Sequence, residues 1–463
     1  MKLRYHLFLS ALQAAAPQSR FVFELLAAGA ERDERAVEGA RLEIIAAQLQ
    51  LPKALVSAAL GELVALGLVV RDRCKLEGKG RPAVTYALSP AVSQTLQSAV
   101  REEGVHSALL DYLFSGTSIV MDVPGLLPPA VKRGVTLSKT GRRAPPGADK
   151  RLSVSNRLLF ATLLARADHC GVVRGVGMPE LRRLTGFDDA SLKHRLRRLM
   201  DLGLIRRYVP GVSSSIFSTA RVSSTYFLNL NPGFRPLGDH SIVVHSAWDF
   251  EAKRFTHVDI LSFDVAAYMR GDRGCTPVTP LSVIRFLQGQ RSRVYPVLQV
   301  MLYRYASFLL SHHWCALLPG AYLWDDQLYA MISTDFRKPV AQVASGSAGE
   351  ARLEAEWVEI IDHFYGLTHE VAHEFRSRFV QASSLSLDTV QMSILPVADD
   401  LGYKVITLVI KSAAPAKEAF VWLEEVRRGA VRRRPQSQEA DVNLVNRYDF
   451  GLLTPPKRKA TRE

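Results

Sequence analysis

Asp188-Asp189-Ala190-Ser191-Leu192-Lys193-His194-Arg195-Leu196-Arg197-Arg198-Leu199-Met200-Asp201-Leu202-Gly203-Leu204-Ile205 is the stretch on which the fold turns. Leu192, Leu196 and Leu199 recur at helical spacing and form one apolar stripe. Asp188 or Asp189 supplies the helix start with a capping carboxylate. Leu202-Gly203-Leu204-Ile205 ends the helix, since glycine suits a helix C-terminus, and leads with Arg206-Arg207 into a strand. Upstream, residues 178–185 read as another helix with Leu181 and Leu184 inward, joined to the first by Gly186-Phe187. Downstream, a Ser-rich turn at 213–215 leads to an apolar strand at 225–230.

The same order occurs nearer the N-terminus. Residues 41–51 read as a helix with apolar Ile44, Ile45 and Leu49 and small Ala46 and Ala47. Leu51-Pro52 breaks it, and Pro52 suits the first turn of the helix that follows. In that helix, 53–66, Val56, Ala59, Leu63 and Leu66 share a face, and Gly67 stops it. Leu68-Val69-Val70 starts a strand, Gly78-Lys79-Gly80-Arg81-Pro82 turns the chain, and 83–88 returns. Helix, turn, helix, strand, turn, strand is thus read twice, within 18–90 and within 152–231.

Ile45-Ala46, Leu49, Leu51, Val56-Ser57, Leu60, Leu63 and Gly67-Leu68-Val69 resemble the winged helix-turn-helix transcription regulators. Gly80-Arg81-Pro82 and Tyr86-Ala87-Leu88-Ser89 resemble the wing of many bacterial members, and 152–231 resembles the same fold with a longer, looser wing. The resemblance implies that the second helix enters the major groove of double-stranded DNA while phosphate contacts fix its register. Opposite the leucine stripe of the second unit lie Ser191, His194, Arg197 and Arg198, flanked by Lys193 and Arg195, with Arg206 and Arg207 extending the basic set into the strand. Arginine suits bidentate contacts to guanine or phosphate. The corresponding face of the first unit has Lys53 and Ser57 but otherwise Ala54, Ala58 and Gly61, and its charge sits in the wing, at Arg71, Arg73, Lys75, Lys79 and Arg81. The second unit is therefore expected to read bases. The first is expected to supply backbone or minor-groove contacts, or a protein interface. The competing reading is a pair of protein-interaction modules with solvated charged faces.

Composition agrees with a globular, nucleic-acid-facing chain. At 463 residues, two to four domains are expected. Hydrophobic residues at 48% and charged residues at 22% exclude a wholly disordered, collagen-like or coiled-coil chain. The net charge of +14 is uneven: +13 over 1–240, −5 over 241–426 and +6 over 427–463. Such a field attracts nucleic acid or an anionic membrane. Cys74, Cys170, Cys275 and Cys315 are far apart and form no Cys-x-x-Cys pair, so free thiols in a cytoplasm are expected. Lys2, Arg4 and 7–16 imitate a weak signal peptide, but His6, Ser10 and Gln13 interrupt the apolar run, which favours a short amphipathic helix. No stretch approaches 18 apolar residues, so no membrane span is expected.

Residues 91–151 read as a helix (91–115) followed by a flexible basic linker with Lys132, Arg133, Lys139, Arg142, Arg143, Lys150 and Arg151. Over 241–426, long helices at 295–318 and 350–381 and a buried strand at 404–411 predict an α+β domain for oligomerisation or effector binding. Residues 427–463, with Arg432-Arg433-Arg434-Pro435 and Pro455-Pro456-Lys457-Arg458-Lys459, read as a basic disordered tail.

Thr368-His369-Glu370-Val371-Ala372-His373 contains His-Glu-x-x-His, the zinc-peptidase arrangement when placed on a helix. Charged Glu374 follows, and no third ligand stands at a familiar spacing, so a polar helix face is the favoured reading of His369 and His373. Ser311-His312-His313-Trp314-Cys315 does not converge, because adjacent helical residues point apart. No Walker or Rossmann glycine pattern is present.

Taken together, the expectation is a mainly α chain with α+β character: tandem winged helices, then a C-terminal α+β domain. Its function is expected to be sequence-specific binding of double-stranded DNA as a bacterial transcription regulator, nucleoid-associated, with no enzyme activity and no cofactor. A mobile genetic element is a fitting setting. Expected partners are a second copy of the chain, RNA polymerase or another regulator. The alternatives are a plasmid-type replication initiator on repeated origin sites and, from another class, a zinc peptidase fused to a DNA-binding module.

Overall fold

Apolar residues at helical spacing and the glycines between them place the first elements. A 3-10 turn, Arg4–Phe8, precedes helix α1 (Pro17–Glu31), then β1 (Ala40–Arg41), α2 (Leu42–Gln48), α3 (Lys53–Ala65), β2 (Val69–Cys74) and β3 (Ala83–Leu88). Helices α4 (Pro90–Ser98) and α5 (Ser107–Leu113) follow. The order then recurs as α6 (Val154–Leu164), β4 (Val172–Val173), α7 (Met178–Thr185), α8 (Asp189–Asp201), β5 (Ile205–Val209), the short β6 (Val212–Ser213) and β7 (Arg221–Val222), and β8 (Thr225–Leu228). The computed structural model describes residues 3–31, 40–74, 83–99, 105–115, 119, 152–231, 242–250, 256–272, 277–318, 322–339, 347–379, 390–396, 404–412, 421–428, 430–436 and 439–455. Met1–Ile205 belongs to one compact unit, and Arg206–Asn231 with Leu237–Glu463 to the other. The boundary therefore falls at the start of β5 rather than after residue 231.

In the first unit, α2 and α3 meet at 114° across a four-residue turn, within the range of a helix-turn-helix corner. The sheet beside them runs β1-β3-β2, antiparallel, with Ala40 opposite Tyr86 and Val69 opposite Leu88. Helices α3 and α8 end alike. Gly67 and Gly203 both adopt φ +70°. The amide after each reaches back to a buried leucine carbonyl, Leu68 to Leu63 at 3.0 Å and Leu204 to Leu199 at 2.9 Å. This glycine-dependent cap satisfies carbonyls the helix cannot. It also turns the chain from helix to strand after both α3 and α8.

Helix α6 is buried all round, every residue from Ser155 to Leu164 included, polar Ser155, Asn156, Arg157 and Thr162 among them. It packs against α1, α5, α7 and α8. The helix expected over 91–115 is in fact two, α4 and α5, and residues 120–151, with the expected basic linker, lie outside the described residues.

The second unit adds β9 (Ile242–Asp249), α9 (His257–Arg270), α10 (Leu281–Leu287), α11 (Val294–His312), α12 (Asp326–Asp335), α13 (Ser347–Phe379), β10 (Gln391–Leu395), β11 (Lys404–Lys411), β12 (Val421–Arg427), β13 (Ala430–Gln436) and α14 (Leu444–Asp449). Its five-stranded sheet has the order β10-β11-β9-β12-β13. β9 pairs parallel with β12, and the other pairs are antiparallel. Alternation along the strands separates two faces. Val243, Ala247, Ile406, Leu408 and Ile410 join the core built with α9–α13, while Ser246 and Thr407 hydrogen-bond to Phe450 O on the other face. The fold as a whole is mixed α and β, and the strand expected over 404–411 is β11.

The basic tail expected from residue 427 onward is folded over its described part. Register sets Glu424 opposite Arg433 and Glu425 opposite Arg432. Arg433 pairs with Glu424 at 3.1 Å and Arg434 with Glu425 at 2.8 Å. The arginine run is thus one side of a cross-strand charge ladder. Pro435 is tolerated because β13 is an edge strand. Beyond it, Phe450, Leu452 and Leu453 are buried. Residues 456–463 lie outside the described residues.

Candidate nucleic-acid interface

Helix α8 is built for a defined start and a two-sided surface. Asp188 caps it, its carboxylate accepting from the Ser191 amide at 2.8 Å and from the Ser191 hydroxyl at 2.8 Å. Those hydrogen bonds, the amide one foremost, hold the Asp188 carboxyl below its usual range. Leu192, Leu196 and Leu199 are buried toward α6 and α7, fixing which residues face out. Lys193, His194 and Arg197 are exposed, and Arg198 is half-buried. These four make no hydrogen bond or ion pair with any described residue, so their polar groups remain available. Ser191 is occupied by the cap. Arg195 turns inward, donating to Asn156 Oδ1 at 3.2 Å and lying 4.8 Å over the Phe187 ring. Asp201, whose carboxyl burial raises, sits close enough to feel Arg198, Arg197 and His194.

The contacts expected of residues 18–90 are distributed differently. Ser57 is exposed on α3, and Lys53 is tied to Glu43 of α2 at 2.5 Å, a surface pair. Arg71 and Arg73 are exposed on β2, two residues apart and so on one face of the strand. Lys75, Lys79 and Arg81 lie outside the described residues.

Arg206 and Arg207 do not belong to this surface. Only 1% and 5% exposed, they point into the second unit. Arg206 donates to Glu439 Oε1 at 2.8 Å and Oε2 at 2.5 Å, and to Asn229 Oδ1 at 2.9 Å. Arg207 donates to Pro396 O at 3.1 Å, Gly451 O at 2.7 Å and Thr454 Oγ1 at 2.6 Å. Apart from Asn229, these partners lie about 190–250 residues further along the chain, so nothing local distinguishes the two from the solvated arginines of α8. Conversely, Arg20 is a polar residue that periodicity passes over. It is 1% exposed and donates to four backbone carbonyls. Its signal is present in Arg20-Phe21-Val22-Phe23-Glu24, where two charges interrupt an apolar run and must find buried partners.

The His-Glu-x-x-His segment lies within α13. His369 is buried, not part of a polar face, with both ring nitrogens lacking hydrogen-bond partners among the described residues. Tyr322 stacks on it at 5.0 Å, and the His373 ring lies 6.0 Å away. Glu370 turns to His257 Nε2 at 3.3 Å. Burial lowers the His369 pKa. Among the described residues no three metal-ligating side chains converge. His313 of the other histidine segment is held by Asp325 at 2.7 Å, and His312 stacks on Phe308 at 4.3 Å.

Among the described residues no single helix is long and apolar enough to cross a membrane; the bent pair α2–α3 passes by length and composition alone. Compared with known proteins, the chain matches no family model, no curated protein and no solved structure.

Proposed function

We propose that this chain binds double-stranded DNA sequence-specifically through two winged helix-turn-helix motifs and acts as a transcription regulator. The observation that carries the reading is α8: a helix capped at Asp188, buried along its leucines, following α7 across a three-residue turn, and presenting Lys193, His194, Arg197 and Arg198 outward. The recurrence of the order strand, helix, turn, helix, strand, strand supports it, as does the 1-3-2 strand order of the first sheet. In this mechanism basic side chains displace counterions, α8 reads base edges, and Arg71 and Arg73 grip phosphates. The second unit provides a separate body for self-association or effector contact. No chemical step is required of any residue.

The test is affinity selection of sheared genomic DNA on the purified protein at near-physiological salt, followed by sequencing. Enrichment of a few promoter-proximal sites is the expected result. Direct repeats clustered at an origin would instead indicate a replication initiator with the same binding mode. No enrichment at all would reject DNA reading and leave both motifs as protein-contact modules.

A further inference from the structure

Two DNA-reading motifs joined by a basic linker are, by sequence, free to move against each other. Within the first unit the helices of both are instead connected by a chain of specific polar contacts. Glu62 of α3 accepts from the Ala16 amide at 3.0 Å and from the Ser19 hydroxyl, at the start of α1. One residue on, Arg20 is buried. Its Nε donates to Ala15 O at 3.2 Å and its Nη2 to Gln13 O at 3.2 Å. Its Nη1 donates to Arg183 O at 2.7 Å and Leu184 O at 3.0 Å. Those last two carbonyls lie at the C-terminal end of α7, where a helix leaves carbonyls unsatisfied and carries partial negative charge. Gly186, in the turn between α7 and α8, sits directly against this clamp. A Cβ there would lie 3.0 Å from both Ala15 O and Arg20 Nε.

Other contacts brace the same docking. The Tyr5 hydroxyl meets Thr162 Oγ1 of α6 at 2.9 Å, buried Glu24 of α1 accepts from the Tyr5 amide at 2.9 Å, and the Arg157 guanidinium of α6 lies 5.0 Å over the Phe21 ring. A buried guanidinium is a directional part. Its donors are costly to leave unpaired, and their planar fork accepts carbonyls in few positions. Such an interface holds one geometry, where an apolar contact would tolerate sliding.

We propose that the two motifs act as one rigid reader, with Arg20 the positioning residue that seats the α7–α8 turn against α1. The target is then a composite DNA site of fixed internal spacing, not two half-sites placed independently. This rests on the DNA-binding reading above. Flexibly tethered modules keep their joint affinity when sites move slightly apart. Rigid ones cannot hold both patches at once, since geometry then forbids simultaneous engagement.

Two measurements test it, and they fail separately. The first needs no DNA. Spin labels at Ala58→Cys on α3 and Ala190→Cys on α8, in a full-length chain with its native cysteines replaced, give a distance distribution. One narrow peak is expected, broadened by Arg20→Gln and partly restored by Arg20→Lys. A broad distribution with Arg20 intact would overturn the rigid reader. The second uses a selected site on which footprinting finds two protected patches. Inserting one or five base pairs between them is expected to weaken binding about 100-fold, and Arg20→Gln to reduce that penalty. Unchanged affinity across the insertions, or a single protected patch, would overturn the composite site while leaving DNA binding in place. A narrow distribution in a chain that selects no DNA site would remove the DNA reading and the composite site together, leaving only the docking. If Arg20→Gln does not fold, the unsubstituted distance and the spacing series still decide.

Discussion

At the residue scale, the arginines divide by what surrounds them. Arg197 and Arg198 have solvent and no described partner. Arg197→Ala with Arg198→Ala is therefore expected to weaken specific DNA binding by about 1–3 kcal/mol for each base that is no longer read, with little change in stability. Comparing affinity for the selected site with that for random DNA checks it; equal weakening on both would mean that they touch only phosphate. Arg206 behaves oppositely. Glu439→Gln or Arg206→Met breaks an ion pair whose side chains are each 2% exposed, and breaking such a pair costs about 3–5 kcal/mol. Urea unfolding should detect it without a matching change in base preference. His245 supplies a pH prediction. It is 1% exposed in the central strand, stacked 5.8 Å from Trp422, with both ring nitrogens unpaired among the described residues. Burial foremost, helped by Arg433, pushes its pKa down to about 4. The unfolded chain takes up its proton near the ordinary 6.5 while the folded chain refuses it. Its contribution is therefore intact above that value and lost as pH falls toward 4. Between pH 7 and 5 this amounts to about 2 kcal/mol, at about 1.4 per unit. His245→Leu should flatten that slope; an unchanged slope would place the effect elsewhere.

At the element scale, α3 and α7 are each followed by a left-handed glycine, but not in one context. Gly67 and Gly186 both have positive φ, +70° and +74°. Nothing lies within 4 Å of a Cβ at Gly67, whereas one at Gly186 meets the backbone of Ala15 and the Arg20 guanidinium. Gly67→Ala should therefore cost about 1 kcal/mol, from conformational strain alone. Gly186→Ala should cost more, about 2–3 kcal/mol, because backbone cannot move aside as a flexible side chain does. Paired denaturation curves read the difference, and equal costs would count against tight docking of α1 on the turn. Strand β13 likewise depends on its neighbour. An arginine run beside a proline looks like solvated chain until an acidic strand, Glu424-Glu425, is placed across from it.

At the scale of the whole molecule, net charge of +14 is concentrated outside residues 241–426. A DNA complex formed through the first motif's wing and α8 should weaken steeply with salt, the slope scaling with phosphates neutralised. Lys79→Ala with Arg81→Ala should weaken binding across all sequences and reduce that slope by about 2. A salt titration of both forms is decisive, since an unaltered slope would take the first wing off the phosphates.

The local elements were legible in sequence because they depend on neighbours a few residues apart. Leucines three and four residues apart bury one face of a helix, glycine accepts positive φ at its end, and an aspartate caps its start. That sufficed for α3, α7, α8, β3 and β11, and for the exposure of Lys193, His194 and Arg197 on α8. What sequence left undetermined involves partners far along the chain. Whether an arginine faces solvent or a buried carboxylate depends on desolvation, and desolvation is a property of the packed molecule. So only tertiary structure moved Arg206 and Arg207 from the candidate surface to Glu439 and Gly451, folded the arginine run into β13, buried His369, and locked Arg20 onto the end of α7.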